Sequence, residues 1–247
     1  MAMKVLVTGG GGFLGTATCK ELVAEGFEVC SFSRSAYPHL KAIGVRCIIG
    51  DITKKEDTRA ACTGIDAIFH IAAKAGVWGS YASYFGPNVL GTRNIIQACL
   101  KNNIRYLVHT SSPSVTFSGF DQNGVNEDAP YASRFLTPYQ ETKAIAEQEV
   151  LSSHGNKLQT IVLRPHLIWG PGDNQLVPRI VKLAKSGKLR IVGNGTKRVD
   201  AVYIANAAQS QINALAALRR GQCGGESFFI TNHEPWPMRD IIGGILK

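Results

Sequence analysis

Nowhere in the 247 residues does an apolar run reach the roughly 18 residues that a membrane-spanning helix needs. No basic start leads into an apolar stretch and a small-residue cleavage site, as a secretory signal would. A cytoplasmic chain with no membrane span is therefore expected. The six cysteines (Cys19, Cys30, Cys47, Cys62, Cys99 and Cys223) include no CxxC pair. No His or Cys pair stands at ligand spacing either, so no bound metal is expected. In a chain neither small nor secretory, an even cysteine count does not imply disulfides. Four of the six sit in or beside apolar segments, where cysteine packs as a small hydrophobe. Acidic residues are scarce: 18 Asp and Glu stand against 27 Lys and Arg, a net charge of +9. The excess attracts phosphates and other anions. With no run of five basic residues, no zinc-finger spacing and no basic amphipathic helix, however, nucleic acid is not an expected partner. Internal repeats and low-complexity segments are absent too.

What the sequence does hold is a regular alternation. Hydrophobic residues make up 45 % of the chain, enough for a packed core. Short apolar runs predict strands at Lys4–Thr8, Glu28–Ser33, Arg46–Gly50, Ala67–Ile71, Tyr106–Thr110, Gln159–Leu163 and Ser227–Thr231. Amphipathic stretches predict helices at Leu14–Glu25, Lys54–Ala61, Asn88–Asn102, Pro138–Ser153, Val177–Ser186 and Ala205–Arg219. Strand and helix in alternation mean βαβ units, hence a parallel sheet covered on both faces. The expectation is an α/β fold, a doubly wound, seven-stranded Rossmann sheet. After Leu163 the run RPHLIWGPGDNQLVP, rich in Pro and Gly, marks a change of texture. Residues 1–164 are read as the nucleotide-binding domain. Residues 165–247 are read as a small substrate-binding region, interleaved with the last strand and incomplete, since WPMRDIIGGILK ends on a helix still wanting a partner.

The first strand runs into Thr8-Gly9-Gly10-Gly11-Gly12-Phe13-Leu14-Gly15, and a helix follows. Gly9, Gly12 and Gly15 allow a tight turn, close approach of a pyrophosphate to backbone amides, and tight helix–strand packing. The helix N-terminus adds unpaired N–H groups and partial positive charge. A flexible hairpin is the bland alternative, but the strand before and the helix after argue for a dinucleotide. The second strand ends Ser33-Arg34-Ser35 without a carboxylate. Arg34 can pair with a 2′-phosphate and Ser33 can hydrogen-bond it, favouring NADP(H) over NAD(H). Asp51 follows the third strand, where a carboxylate can accept from the adenine amino group.

Tyr139 and Lys143 in YQETK stand one helical turn apart. A nearby ammonium lowers a phenol's pKa, giving a general acid for a carbonyl oxygen. Ser112, at a strand end in HTSSPSV, can hydrogen-bond that same oxygen.

The motifs TGGGGFLG, GDI, HIAA, NVLGTRN, TSS, YQETK and LRPHLIWGPGD, in that order, resemble the extended short-chain dehydrogenase/reductase (epimerase/dehydratase) superfamily. The strings AKAGVWGSY, TSSPSV and EPWPMRD are similar to its 3β-hydroxysteroid dehydrogenase-like branch, most of all to bacterial 2-alkyl-3-oxoalkanoate reductases. The resemblance implies Ser112, Tyr139 and Lys143 as the catalytic trio, with Lys143 also on the nicotinamide ribose. It implies Gly9, Gly12, Phe13 and Leu14 at the pyrophosphate and Asp51 and Ile52 at the adenine. Ala72, Ala73 and Lys74 fall at the adenosine-side ribose and phosphates. Thr110 and Pro165, His166, Leu167 and Ile168 fall beside the nicotinamide. It further implies a homodimer through the helices at Asn88–Asn102 and Tyr139–Ser153. Pro113 and Ser114, where dehydratases carry acidic residues, disfavour a sugar 4,6-dehydratase.

Trp78, Tyr81, Tyr84 and Phe85 after the fourth strand and Trp169 after the sixth are candidates for an apolar substrate lining, core packing being the alternative. Arg134, Arg179 and Arg198 can anchor a carboxylate or stand as surface charges. The expected function is hydride transfer between a nicotinamide and a keto or hydroxy group of a 2-alkyl-3-oxo acid or a 3β-hydroxysteroid-like substrate. Alternatives are a nucleotide-sugar epimerase or reductase and a non-catalytic NADP-sensing protein, the latter disfavoured by the retained Tyr/Lys pair.

Overall fold

The structure, a computed structural model, describes residues 2–76, 78–191 and 193–246. In chain order the elements are β1 (Lys4–Thr8), α1 (Phe13–Ala24), β2 (Glu28–Ser33), α2 (Pro38–Ala42), β3 (Arg46–Ile49), α3 (Lys55–Ala61), β4 (Ala67–His70) and α4 (Tyr81–Phe85). A π-helical turn, Gly86–Leu90, leads into α5 (Gly91–Lys101), and then come β5 (Tyr106–Thr110), a 3₁₀ turn at Pro113–Thr116, α6 (Pro138–Ser152) and β6 (Gln159–Pro165). The last third holds β7 (Leu167–Trp169), α7 (Leu176–Lys185), β8 (Arg198–Val199), β9 (Ala201–Tyr203), α8 (Ile204–Arg219), β10 (Ser227–Ile230), β11 (Trp236–Pro237) and α9 (Met238–Leu246).

Seven strands form one parallel sheet in the order β10-β6-β5-β4-β1-β2-β3. Because side chains alternate along a strand, Val5, Val7, Val108 and Leu163 face one way, into a core with α1, α2 and α8. Leu6, Ile68, Leu107 and Val162 face the other way, against α3, α5 and α6. This is the expected doubly wound Rossmann arrangement, whose ligand crevice lies where the strand order reverses, here between β1 and β4. A third apolar cluster joins Phe13 and Leu14 of α1 to Val202, Ile204 and Ala207. The β10 edge is partly closed, since the Phe229 N–H donates to Glu127 of the 117–137 loop at 2.9 Å.

The seven predicted strands are all present, three with the predicted ends and four with one end displaced by one or two residues. The short elements α2, α4, β7, β8, β9 and β11 escape prediction because they span too few residues to show a period. One expectation fails. No basic amphipathic helix is apparent in the sequence, yet α7 is one, burying Ile180 while Arg179, Lys182 and Lys185 face solvent. Its cations are spread at every third position, so they never form a run. Another is refined. The helix expected from Asn88 begins instead as a π-helical turn, which directs Asn88 inward. All six cysteines are free, with Cys19, Cys30, Cys62 and Cys99 buried. Among the described residues no helix is long and apolar enough to cross a membrane.

Candidate active site

At the carboxyl ends of the strands lies a cleft of about 1480 Å³. Every residue singled out above for cofactor or chemistry lines it: Gly9 to Gly15 without Gly10 and Gly11, Ser33, Arg34, Asp51, Ile52, Ala72 to Lys74, Thr110, Ser112, Tyr139, Lys143 and Pro165 to Ile168.

Its floor is the glycine loop. Gly9 has φ +72°, and a Cβ there would stand 2.9 Å from Ala72 Cα. Gly15 packs still more closely, since a Cβ would overlap the Gly9 carbonyl oxygen and sit 2.8 Å from Gly10 Cα. Gly12, the N-cap of α1, offers no side-chain cap, so the first N–H groups of the helix are left for a ligand. These backbone donors open onto the cleft. Beside them, Asp51 accepts from the Thr53 N–H at 2.9 Å and the Thr53 hydroxyl at 2.8 Å. Those two bonds, helped by the Arg34 guanidinium, hold its carboxyl below the usual range. Ser33 donates to the Ser35 carbonyl at 2.9 Å, which closes the turn that presents Arg34.

The catalytic candidates come from two elements. Helix α6 starts in a capping box. Thr137 accepts from the Gln140 N–H at 3.3 Å, Gln140 Oε1 accepts from the Thr137 N–H at 3.1 Å, and Pro138 occupies the first turn. That start fixes Tyr139 in the first turn and Lys143 one turn later, 2 % exposed. Ser112 caps the 3₁₀ turn after β5; its Oγ accepts from the Ser114 N–H at 3.2 Å and lies 2.8 Å from Ser114 Oγ.

The electrostatics differ from the sequence expectation. There the ammonium lowers the phenol; here burial pushes Tyr139 up, and only the hydrogen bond with Ser112 pulls it back. Lys143 is itself brought down to about 8 by burial, against the opposing pull of Glu147. Its Nζ donates to the Thr110 carbonyl at 2.7 Å. Burial is the dominant influence on both groups.

The aromatic lining also needs correcting. None of Trp78, Tyr81, Tyr84, Phe85 and Trp169 borders the cleft. Tyr84 is fully buried, donating to the Gly76 and Trp78 carbonyls at 3.0 and 2.9 Å. Trp78 is 83 % exposed, and Trp169 packs edge-on against Tyr203. Arg134, Arg179 and Arg198 are exposed, and Arg198 donates to the Pro235 carbonyl.

Asn88 is a residue the sequence reading left unassigned. It is buried in the π-helical turn, accepting from the Lys74 N–H at 2.7 Å and donating to the Lys74 carbonyl at 3.1 Å and to Thr142 Oγ1 at 3.0 Å. It thus ties the strand-4 exit to α6. His70 is purely structural. Thr92 donates to the Asn88 carbonyl, so His70 Nε2 donates to Thr92 Oγ1 and Nδ1 accepts from Thr8. That neutral tautomer agrees with a pKa lowered by burial to about 3.

Comparison with known proteins matches this arrangement. The 3-beta hydroxysteroid dehydrogenase/isomerase family matches residues 6–246. A 2-alkyl-3-oxoalkanoate reductase of Stenotrophomonas maltophilia is 50 % identical over 99 % of this chain and 75 % of its own. The sterol-4-alpha-carboxylate 3-dehydrogenase, decarboxylating, of Bos taurus is 35 % identical over 99 % of this chain and 69 % of its own. The structure of a UDP-glucuronic acid 4-epimerase from Bacillus cereus in complex with NAD superposes with a TM-score of 0.84 at 26 % identity, over 98 % of this chain and 83 % of that one. A nicotinamide-dependent oxidoreductase by these relationships, the chain belongs to the 3-beta hydroxysteroid dehydrogenase/isomerase family.

Proposed function

We propose that the chain interconverts a ketone and its alcohol β to a carboxyl group on an apolar 2-alkyl-3-oxo acid, using NADP(H) in preference to NAD(H). The single observation that carries the reading is the convergence of Ser112, Tyr139 and Lys143 on the cleft that also holds the glycine loop. The half-identical 2-alkyl-3-oxoalkanoate reductase supports the substrate class. A 3β-hydroxysteroid-like substrate is the related choice, given the sterol dehydrogenase relatives.

The bound cofactor supplies or takes up a hydride at its nicotinamide. Gly9 and Gly15 let backbone come close to the pyrophosphate, and the uncapped start of α1 offers N–H donors. Arg34 pairs with the 2′-phosphate, with Asp51 and Ile52 beside the adenine and Ala72, Ala73 and Lys74 along the ribose and phosphates. Thr110 and Pro165 to Ile168 border the nicotinamide end. In the reductive direction Tyr139 donates its proton to the ketone oxygen; burial keeps that phenol protonated until it is needed. Ser112 donates a hydrogen bond to the same oxygen as negative charge develops there. The Lys143 ammonium stabilises the phenolate left behind and reaches the nicotinamide ribose. Residues 1–164 form the cofactor-binding domain, and residues 165–247, which begin with the Pro165–Ile168 segment at the nicotinamide end, form the substrate-binding region.

The test is NADPH oxidation with a 2-alkyl-3-oxo acid, with a UDP-sugar as control. Tyr139→Phe should lose roughly 10²- to 10⁴-fold in turnover while NADPH still quenches or enhances protein fluorescence at wild-type concentrations. Wild-type turnover in that variant would end the assignment.

A further inference from the structure

One carboxylate in the core is surrounded by active-site segments without touching the cleft. Glu147 on α6 is fully buried, one turn beyond Lys143 and two beyond Tyr139. It accepts from four donors on three other segments. The Ser111 hydroxyl comes from the end of β5, immediately before Ser112. Arg164 donates through Nε at 3.1 Å and Nη2 at 2.5 Å from β6, immediately before Pro165. The Tyr131 hydroxyl donates at 2.9 Å from the 117–137 loop. Arg164 is itself 3 % exposed, its guanidinium 5.2 Å from the Phe229 ring centroid.

We propose that Glu147 is a positioning residue for the reaction: its carboxylate, one helical turn beyond Lys143, fixes Ser112 and the Pro165–Ile168 segment against the catalytic face of α6. This rests on the roles assigned to Tyr139 and Lys143 under Proposed function.

One line of geometry and one of charge support it. Each donor to Glu147 belongs to a residue adjacent in sequence to a cleft-lining one or to the loop that leads into α6. The carboxylate is therefore where the two strand exits and the helix are locked in register. The second line is charge. Lys143 is desolvated and needs an anion to stay protonated. The titratable groups around it are Tyr139 and Glu147 on its own helix, His70 on β4 and His109 on β5. Both histidines are held neutral by burial and by the ammonium itself, and Tyr139 is held protonated. Among the described residues that leaves Glu147 as the negative charge acting on Lys143.

Removing Glu147 alone would strand the Arg164 charge in the core and endanger the fold. The informative variant is therefore Glu147→Gln/Arg164→Met, which removes both charges together. Tyr131→Phe, which removes one donor and keeps the carboxylate charge, is the second. The readout is the alkaline limb of kcat/KM, with NADPH affinity and thermal stability measured alongside. Lys143 titrates before Tyr139 as pH rises, so the limb belongs to Lys143.

In the double variant the limb should move to lower pH by roughly one unit, and kcat should fall by roughly tenfold or more, with NADPH affinity retained. In Tyr131→Phe the limb should stay at the wild-type position. A double variant with the wild-type limb and turnover would overturn the proposal and make Glu147 a mere counter-ion to Arg164. So would a Tyr131→Phe limb displaced as far as that of the double variant. The two readings separate cleanly. An inactive Tyr139→Phe with an unshifted double variant sinks this inference alone; an active Tyr139→Phe sinks both.

Discussion

Replacing Lys143 by Met should abolish turnover and at the same time remove a pH-dependent burden on the fold. Lys143 is 2 % exposed, and burial lowers it from 10.5 to about 8. The folded state therefore disfavours the protonated form. The penalty is fully present below about pH 8 and fades as pH rises toward 10.5, where the unfolded chain also gives up the proton. The gap between 10.5 and 8 corresponds to about 3.4 kcal/mol. Met also leaves the Thr110 carbonyl without its donor, a loss of about 1–3 kcal/mol, so stability at one pH decides little. The pH dependence decides. Linkage makes the Lys143 penalty about 1.3 kcal/mol smaller at pH 9 than at pH 7. Urea unfolding of wild type and Lys143→Met without cofactor at both pH values measures the difference. Buried cysteines and Tyr131, which burial holds protonated, also cost stability at alkaline pH. They do so equally in both proteins and cancel. The wild type should gain on the variant by about 1.3 kcal/mol across that interval; a gap that does not change with pH would refute the account of Lys143 as a desolvated cation.

Arg34→Ala should raise KM for NADPH by roughly tenfold or more and leave KM for NADH almost unchanged, because a charge-assisted pair to a phosphate is lost; equal effects on both cofactors in steady-state kinetics would contradict the 2′-phosphate assignment. Asn88→Ala removes the bonds to Lys74 and Thr142 and should cost about 2–4 kcal/mol in urea unfolding, with a loss of turnover; a neutral result would mean the clamp is dispensable. Gly15→Ala places a Cβ into the Gly9 carbonyl and should eliminate nucleotide binding, measured by fluorescence titration, or prevent folding altogether; wild-type affinity would contradict the close packing.

Much of this was legible from residue patterns because the signals are local. The KVLVT run, the glycine loop and the i, i+4 relation of Tyr139 and Lys143 each depend on a few neighbouring residues, and all reappear in β1, α1 and α6. What was not legible depends on distant contacts. The direction of the Tyr139 shift follows from desolvation, which no spacing reveals. Tyr84 reads as a candidate ligand residue and proves to be core because its hydroxyl finds two carbonyls in the loop before α4. Glu147 lies at Lys143 plus four and so was visible, but its partners Ser111, Tyr131 and Arg164 come together only when β5, β6 and the 117–137 loop meet. Asn88 sits in a quoted motif, yet its clamp exists only through the π-helical turn.

The apolar seam between the start of α1 and residues 202–207 has an implication for changing what the enzyme accepts. Phe13 and Leu14, in the turn proposed to hold the pyrophosphate, rest on Val202, Ile204 and Ala207. A chimera that imports its final third from another relative would thus also replace the bed on which the glycine-loop turn lies. Such grafts should retain those three side chains, or recruit matching replacements at positions 13 and 14, if the coenzyme is still to be held.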